Sequence, residues 1–365
     1  MLCQIKPDLC IGILLLFFSL STSADIEKTS REEIRVVVVA MFEDGETRGD
    51  NPGELQFWVE RLDLNRQLSF PAGKRDLYLN NDGVLAVLTG AGVSNASASI
   101  MALGLDDRFD LSKAYWLIAG IAGGDPADLS LGSAAWARHV VDGDLLYEID
   151  GREIPESWPY GLIPLGANEP TLEFADIKGR TLGTSVFSLN SGLVEWAYSL
   201  TRNLKLQDSP AMTAARSLYV DFPTAQRPPF VALGDTLSAS TYWHGRELNR
   251  WANDWVRLYA GKAANFMTSN MEDSGSLTSL QRLDTAGLVD INRVMVLRTV
   301  SNYTIPPKGK SAVWSRTAPY PDKGLPAKEA AFVVGNTVVQ ALLKAWPKYR
   351  DTIPALEGKI EEQGK

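Results

Sequence analysis

Glu272, in the run Asn270-Met271-Glu272-Asp273, belongs to a residue type that can use both oxygens on one partner. A carboxylate accepts several hydrogen bonds at once, and its two oxygens match the two hydroxyls of a vicinal diol. An acid opening a helix is also favoured by the macrodipole alone, without any ligand. Some thirty residues later comes Arg298-Thr299-Val300-Ser301-Asn302. The Asn302 amide can donate to and accept from the edge of a planar heterocycle, although it cannot transfer a proton at neutral pH. It is equally at home as a turn residue after a strand. In Gly90-Ala91-Gly92-Val93-Ser94-Asn95 the glycines let backbone amides approach a ligand, and the helix N-terminus that follows favours an anion. A plain tight turn has the same signature. A second glycine cluster, Gly120-Ile121-Ala122-Gly123-Gly124, follows later. Glu43, Asp44 and Glu46 could hold a water or form a solvated acidic loop. Gly234-Asp235 and then Thr241-Tyr242-Trp243-His244-Gly245 complete the series; the aromatics and His244 can stack on a flat ring, or His244 can be structural.

These residues need strands and helices to hold them. Ile34–Ala40 is a continuous apolar, β-branched run, as in a strand buried on both faces. Val84–Thr89 is a second such strand, Asn95–Leu105 a helix with small residues inward, and Ala114–Ala122 a third strand ending in glycines. Strand, glycine turn, helix and strand make a βαβ unit. Further strands are expected at Gly132–Val141, Phe230–Leu233 and Asp290–Thr299, and helices at Asn190–Asn203, Arg246–Tyr259, from the Glu272 region to about Ala286, and at Ala327–Trp346. Residues 150–180, rich in Pro and Gly, read as a long surface loop of the kind that serves as a lid or binding loop. Trp251 and Trp255, four apart on one helix, read as core.

Taken in order, these motifs resemble the nucleoside phosphorylase and nucleosidase superfamily. Over nearly all of residues 34 to 346 the chain resembles the purine nucleoside permease family, proteins named for transport but similar to nucleoside-cleaving enzymes. The resemblance implies an α/β fold, a single three-layer αβα domain with a central mixed β-sheet, and a purine nucleoside as ligand. Met271-Glu272 matches the pair that holds ribose in the superfamily, with the methionine beneath the sugar. Ser301-Asn302 stands where nucleosidases carry Ser-Asp; some 6-oxopurine phosphorylases also use asparagine, which favours inosine- or guanosine-like substrates. Ala40-Met41-Phe42-Glu43-Asp44 resembles the Ala-Met-Glu-Glu-Glu segment of methylthioadenosine/S-adenosylhomocysteine nucleosidases, where one glutamate holds the attacking water. Glu43 is the preferred base, Asp44 the second, and Glu46 an alternative. Gly90, Gly92 and Asn95 occupy the place of the anion or nucleophile loop, and Gly234-Asp235 resembles a Gly-Asp element of nucleosidases. The arginine of a Gly-Asp-Pro-x-Arg motif has no match. That favours water over phosphate, with Arg48 or Arg298 as substitutes should phosphate be the co-substrate. Two main readings compete, a purine nucleoside-cleaving enzyme and a non-catalytic nucleoside-binding component of transport. A purely structural protein has little support, since glycines recur at strand ends where α/β proteins place ligands.

Composition narrows the field. The chain of 365 residues is 45% hydrophobic and 22% charged, an ordinary globular balance. A net charge of −8 without a Lys/Arg cluster argues against nucleic acid or anionic lipid as partners. His139 and His244 are its two histidines, so a transition-metal site is not expected, and no cofactor is implied. Residues 1–24 read as an export signal: Lys6, the apolar run Ile11–Leu20, then Ser21-Thr22-Ser23-Ala24 before Asp25. The run is shorter than the roughly 20 residues that span a bilayer, and an uncleaved anchor is the alternative. Cys3 and Cys10 both lie in this segment, so the mature chain is expected to reach a periplasmic or secreted location without disulfides. The remaining expectations are a phosphorylase-like domain over 25–354, a mobile tail over 355–365, no membrane span in the mature chain, and possible homo-oligomer formation.

Overall fold

The β-branched run near the start forms a strand, Val36–Ala40 (β1), with all five residues buried. The computed structural model describes residues 31–177 and 183–356; the expected export segment and the tail beyond residue 356 lie outside the described residues. Among the described residues, nine further strands share the sheet of β1: Arg66–Leu68 (β2), Leu77–Leu79 (β3), Val84–Leu88 (β4), Tyr115–Gly124 (β5), Ala134–Asp142 (β6), Val186–Ser188 (β7), Val231–Ser238 (β8), Phe266–Asn270 (β9) and Val294–Tyr303 (β10). The order is β7-β6-β8-β9-β5-β1-β4-β3-β2, and β10 pairs with both β5 and β6. Parallel pairs (β1 with β4 and β5, β8 with β6 and β9, β10 with β5) alternate with antiparallel ones, so the sheet is mixed. Because β10 bridges β5 and β6, the strands β5, β10, β6, β8 and β9 close on themselves.

Helices cover this sheet in a three-layer α/β arrangement: Gln56–Arg61 (α1), Val93–Gly104 (α2), Ser191–Thr201 (α3), Pro210–Arg216 (α4), Arg246–Ala260 (α5), Asp273–Thr285 (α6), Ala312–Thr317 (α7) and Leu325–Lys344 (α8). Their starts follow local chemistry. Asn190 accepts the Leu193 amide at 3.1 Å to open α3, and Ser209 accepts that of Met212 at 3.1 Å to open α4, with Pro210 in the first turn. α2 packs against α6, and α8 covers β10 and β5. The largest apolar cluster joins β1, β4, β5 and β10 to α2, α6 and α8. Trp251 and Trp255 are buried in a second cluster with Phe266, so that pair is core.

Three expectations change. The stretch 150–180 carries an ordered piece, Leu162–Pro164, which pairs antiparallel with Leu146–Glu148; residues 178–182 lie outside the described residues. The short strand expected to end at Gly234-Asp235 instead runs through both to Ser238, because neighbours pair with it on each side. The glycine is needed for packing: a Cβ on Gly234 would lie 2.4 Å from the Met267 sulfur. The last core strand starts four residues later than expected, after a 3₁₀ turn at Ile291–Arg293, and continues to Tyr303. Among the described residues, no helix is long and apolar enough to cross a membrane.

Candidate functional site

The loop between β1 and α1 takes its path from Glu43. The carboxylate of Glu43 accepts the amides of Gly53, Leu55 (2.9 Å) and Gln56 (2.6 Å), satisfying donors that the start of α1 leaves open. Its oxygens are committed to this cap, so the residue expected to be the base holds the loop instead. Asp44, the second choice, is half exposed and pairs with Lys328 at 3.3 Å. Glu46 is exposed, its amide donating to Asp50. With the loop pinned, the neighbouring Glu54 turns inward, 6% exposed, and accepts the amides of Met41 at 2.8 Å and Ile121 at 2.6 Å.

Glu54 meets a buried charged group formed by β10 and the start of α6. Arg298, 1% exposed, donates twice to Asp273, to Glu272 at 3.4 Å and to the Ile121 carbonyl at 3.2 Å. Asn270 aims this corner: its Oδ1 accepts the amides of Glu272 (3.1 Å) and Asp273 (3.0 Å), and its Nδ2 donates to Thr236. Asn270 therefore shapes the turn beneath Met271 and Glu272. Glu272 also accepts the Gly92 amide at 3.3 Å, which ties it to the glycine loop. The Gly92 amide, expected to face an anion, is thus turned to a carboxylate of the protein itself.

One guanidinium here faces three carboxyl groups. Burial pushes Glu54 up to about 7, with Arg298 opposing and Glu272 adding to the rise. Burial likewise raises Glu272, offset by Arg298. Burial works against the charge of Arg298, but Asp273, Glu272 and Glu54 together hold its pKa above the ordinary guanidinium value. Near neutral pH the group therefore combines a fixed cation with a carboxyl able to take or release a proton, the property a general base needs. Both oxygens of Glu54 and Oε1 of Glu272 keep a further lone pair for an outside donor, whereas Glu272 Oε2 already accepts from Arg298 and from the Met271 amide at 3.2 Å.

The segment 239–245 links this group to Asn302. Ser240 Oγ accepts the Val93 amide at 3.2 Å, beside Gly92, and the Tyr242 hydroxyl accepts from Asn302 Nδ2 at 3.0 Å. Ser301 is the extra residue of a bulge in β10, and its hydroxyl donates to Asn302 Oδ1 at 3.0 Å. Gly123 pairs with Asn302 in register, and a Cβ there would stand 3.4 Å from Asn302 Nδ2. Gly92, Met271-Glu272, Ser301-Asn302 and Gly123 are thus drawn towards one region. Gly90 and Asn95 border it: Asn95 is exposed and donates to the Ala91 carbonyl at 2.7 Å. Among the described residues neither ring nitrogen of His244, both buried, has a hydrogen-bond partner; burial, then Arg316, lowers its pKa, which favours the neutral ring. Asp235 does not join the group. Inside β8 it accepts from the His139 amide, lies 2.7 Å from His139 Nδ1 and takes the Asn265 amide at 2.7 Å. Glu54 and Arg298 are the residues that motif reading underrated. Glu54 lies in Pro52-Gly53-Glu54, a stretch that resembles the permease family but whose pattern points to no chemistry, and only the fold brings it to Arg298. Among the described residues no group of three or more His, Cys, Asp or Glu side chains could hold a metal ion.

The family model described as purine nucleoside permease matches residues 33–354. A protein of Candida albicans described as a purine nucleoside permease is 30% identical over 304 residues, 80% of this chain and 72% of that one. A Schizosaccharomyces pombe protein described as a probable purine nucleoside permease is 34% identical over 225 residues, 60% of this chain. The match spans 64% of the length of that relative. Among solved structures, the native futalosine hydrolase of Helicobacter pylori has a TM-score of 0.50 at 14% identity, covering 85% of this chain and 98% of that one. The 5'-methylthioadenosine/S-adenosylhomocysteine nucleosidase of S. pneumoniae with a transition-state inhibitor gives a TM-score of 0.50 at 14% identity, with 85% and 100% covered. At such identity the likeness is one of fold.

Proposed function

The chain belongs to the purine nucleoside permease family, and we propose that it binds a purine ribonucleoside over the Glu272–Arg298–Glu54 group and cleaves its N-glycosidic bond with water. The observation that carries this is Glu54, a buried carboxyl poised at about 7 beside the Arg298 guanidinium. In this reading Glu272 accepts the 2′- and 3′-hydroxyls and Met271 lies beneath the sugar. Asn302, steadied by Ser301, exchanges its Nδ2 bonds to the Tyr242 hydroxyl (3.0 Å) and the Tyr303 carbonyl (3.2 Å) for N7 and O6 of the base, which places inosine and guanosine ahead of adenosine. Glu54 takes a proton from a water as its oxygen bonds to C1′ and the C1′–N9 bond breaks; the departing purine, hydrogen-bonded by Asn302, receives its proton from solvent.

Water is favoured over phosphate because the two candidate arginines are engaged. Arg298 is committed to Asp273, and Arg48 donates to the Leu64 carbonyl and Asn65. The reading includes export, on the strength of the pattern in residues 1–24. A second reading, a binding protein that hands nucleosides to a membrane carrier, is favoured by one feature: Asn302 offers an amide where a proton-donating acid would aid cleavage. Incubating the purified protein with guanosine, inosine and adenosine, with and without phosphate, and measuring free base separates these. Base released without phosphate supports hydrolysis, and release only with phosphate supports phosphorolysis. Tight binding without release leaves the carrier-delivery reading.

A further inference from the structure

A cavity of about 240 Å³ opens beside Asn302. Its walls come from the end of β10, the turn after α4 and residues 314–321, with Tyr219, Tyr303, Trp314 and Tyr320 supplying four aromatic rings. The hydroxyls of two are turned away into the protein: Tyr219 donates to the Ile305 carbonyl at 2.9 Å and Tyr303 to that of Ala225 at 2.8 Å. Tyr320 stands with its hydroxyl 3.4 Å from that of Tyr242, the group that accepts from Asn302. Among the described residues no charged side chain lines the space. Leu218 and Trp314 line it while remaining 43% and 39% exposed, so apolar surface stays open to water. A largely apolar pocket with a few polar groups, here Asn302, Ser301, Ser315 and the Tyr320 hydroxyl, has the form of a small-molecule subsite, and an apolar cavity of about 150 Å³ is enough to hold benzene.

We propose that this cavity is a subsite for a hydrocarbon substituent on the base, so that the chain takes purine ribonucleosides carrying an aryl or alkyl group of about benzyl size at C6. The proposal rests on the reading of Asn302 as the base contact: the C6–N7 edge that meets the amide directs a C6 substituent past Asn302 into the cavity. The linking atom matters less than the hydrocarbon, because the amide can accept from N6–H or donate to an ether or thioether while still donating to N7. Phenyl-sized apolar area leaving water for these ring faces gives the added affinity.

Calorimetric titration of the full-length protein with inosine, adenosine and N6-benzyladenosine tests this. The benzyl compound should bind roughly 10- to 100-fold more tightly than adenosine. The variants Trp314→Ala and Leu218→Ala alter partly exposed side chains, so folding is not at stake, and each should bring the ratio of the two dissociation constants back towards one. Equal affinity for adenosine and its benzyl derivative, or an unchanged ratio in both variants, overturns the subsite while leaving the nucleoside reading standing. Failure of all three ligands to bind overturns the nucleoside reading and the subsite with it.

Discussion

The amide of Ile121 donates to the Glu54 carboxylate at 2.6 Å, while the carbonyl of the same residue accepts from Arg298 at 3.2 Å. A single residue of β5 thus orients a buried acid and a buried cation that are far apart in sequence. Neither group can swing away without losing a backbone partner. Preorganised charge of this kind is what a transition state with developing positive charge on the sugar requires.

Glu54→Gln removes the titrating group and leaves the shape. With guanosine or inosine as substrate, kcat should fall by about 10²- to 10⁴-fold, with little change in the dissociation constant. In the native protein, turnover should rise with pH and level off above about 7, where Glu54 is ionised. A flat pH profile, or a variant with native turnover, would remove Glu54 from the reaction.

Stability supplies an independent reading of the same carboxyl. Its pKa is raised in the fold, so the folded chain holds a proton that the unfolded chain releases near the ordinary value of 4.5. The contribution is full below that value, declines as pH rises and is lost by about 7. The native melting temperature should therefore drop between pH 5 and pH 8 by more than that of Glu54→Gln. The amide variant should also be less stable at pH 5, since its NH2 must face one of two backbone N–H donors, at a cost of about 1–3 kcal/mol.

Glu272→Ala should weaken ribonucleosides far more than free bases. Each charge-assisted bond to a ribose hydroxyl is worth about 1.5–3 kcal/mol, and guanine has no such hydroxyls to lose. Parallel titrations of guanosine and guanine against the two proteins measure the difference directly; an equal loss for both would detach Glu272 from the sugar.

Asn302→Asp exchanges a neutral donor for an acceptor that titrates. Preference should move from inosine towards adenosine, because a carboxylate accepts from the 6-amino group but opposes O6. Turnover should also become more dependent on pH. Competition between inosine and adenosine at several pH values checks both effects, and identical selectivity in the two proteins would make Asn302 a turn residue.

Gly275 lets α6 approach α2, since a Cβ there would stand 2.2 Å from the Val93 carbonyl oxygen. Gly275→Ala forces the backbone at the start of α2 to move, with an expected cost of about 1–3 kcal/mol in urea unfolding. The same movement displaces the Gly92 amide from Glu272, so nucleoside affinity should fall together with stability.

Much of the scaffold was legible because its signals are local. Continuous β-branched runs mark β1 and β4 as buried strands, the Trp251 and Trp255 spacing marks the inner face of α5, and the acid run at Glu272 sits where α6 begins. The order of these signals was enough to indicate the family; Met271-Glu272 follows β9 and Ser301-Asn302 lies at the end of β10, and both strands pair with β5 at Gly123 and Gly124. Tertiary structure decided which acid faces Arg298. Glu43 looks like the base by its position after β1, yet the open amides of α1 claim its oxygens, and that capping turns Glu54 inward. Asp235 looks like a loop residue after a glycine, yet pairing on both sides carries β8 through it. Both outcomes depend on partners contributed by other segments of the chain, and local pattern records a residue's own preferences but not which neighbour will satisfy them.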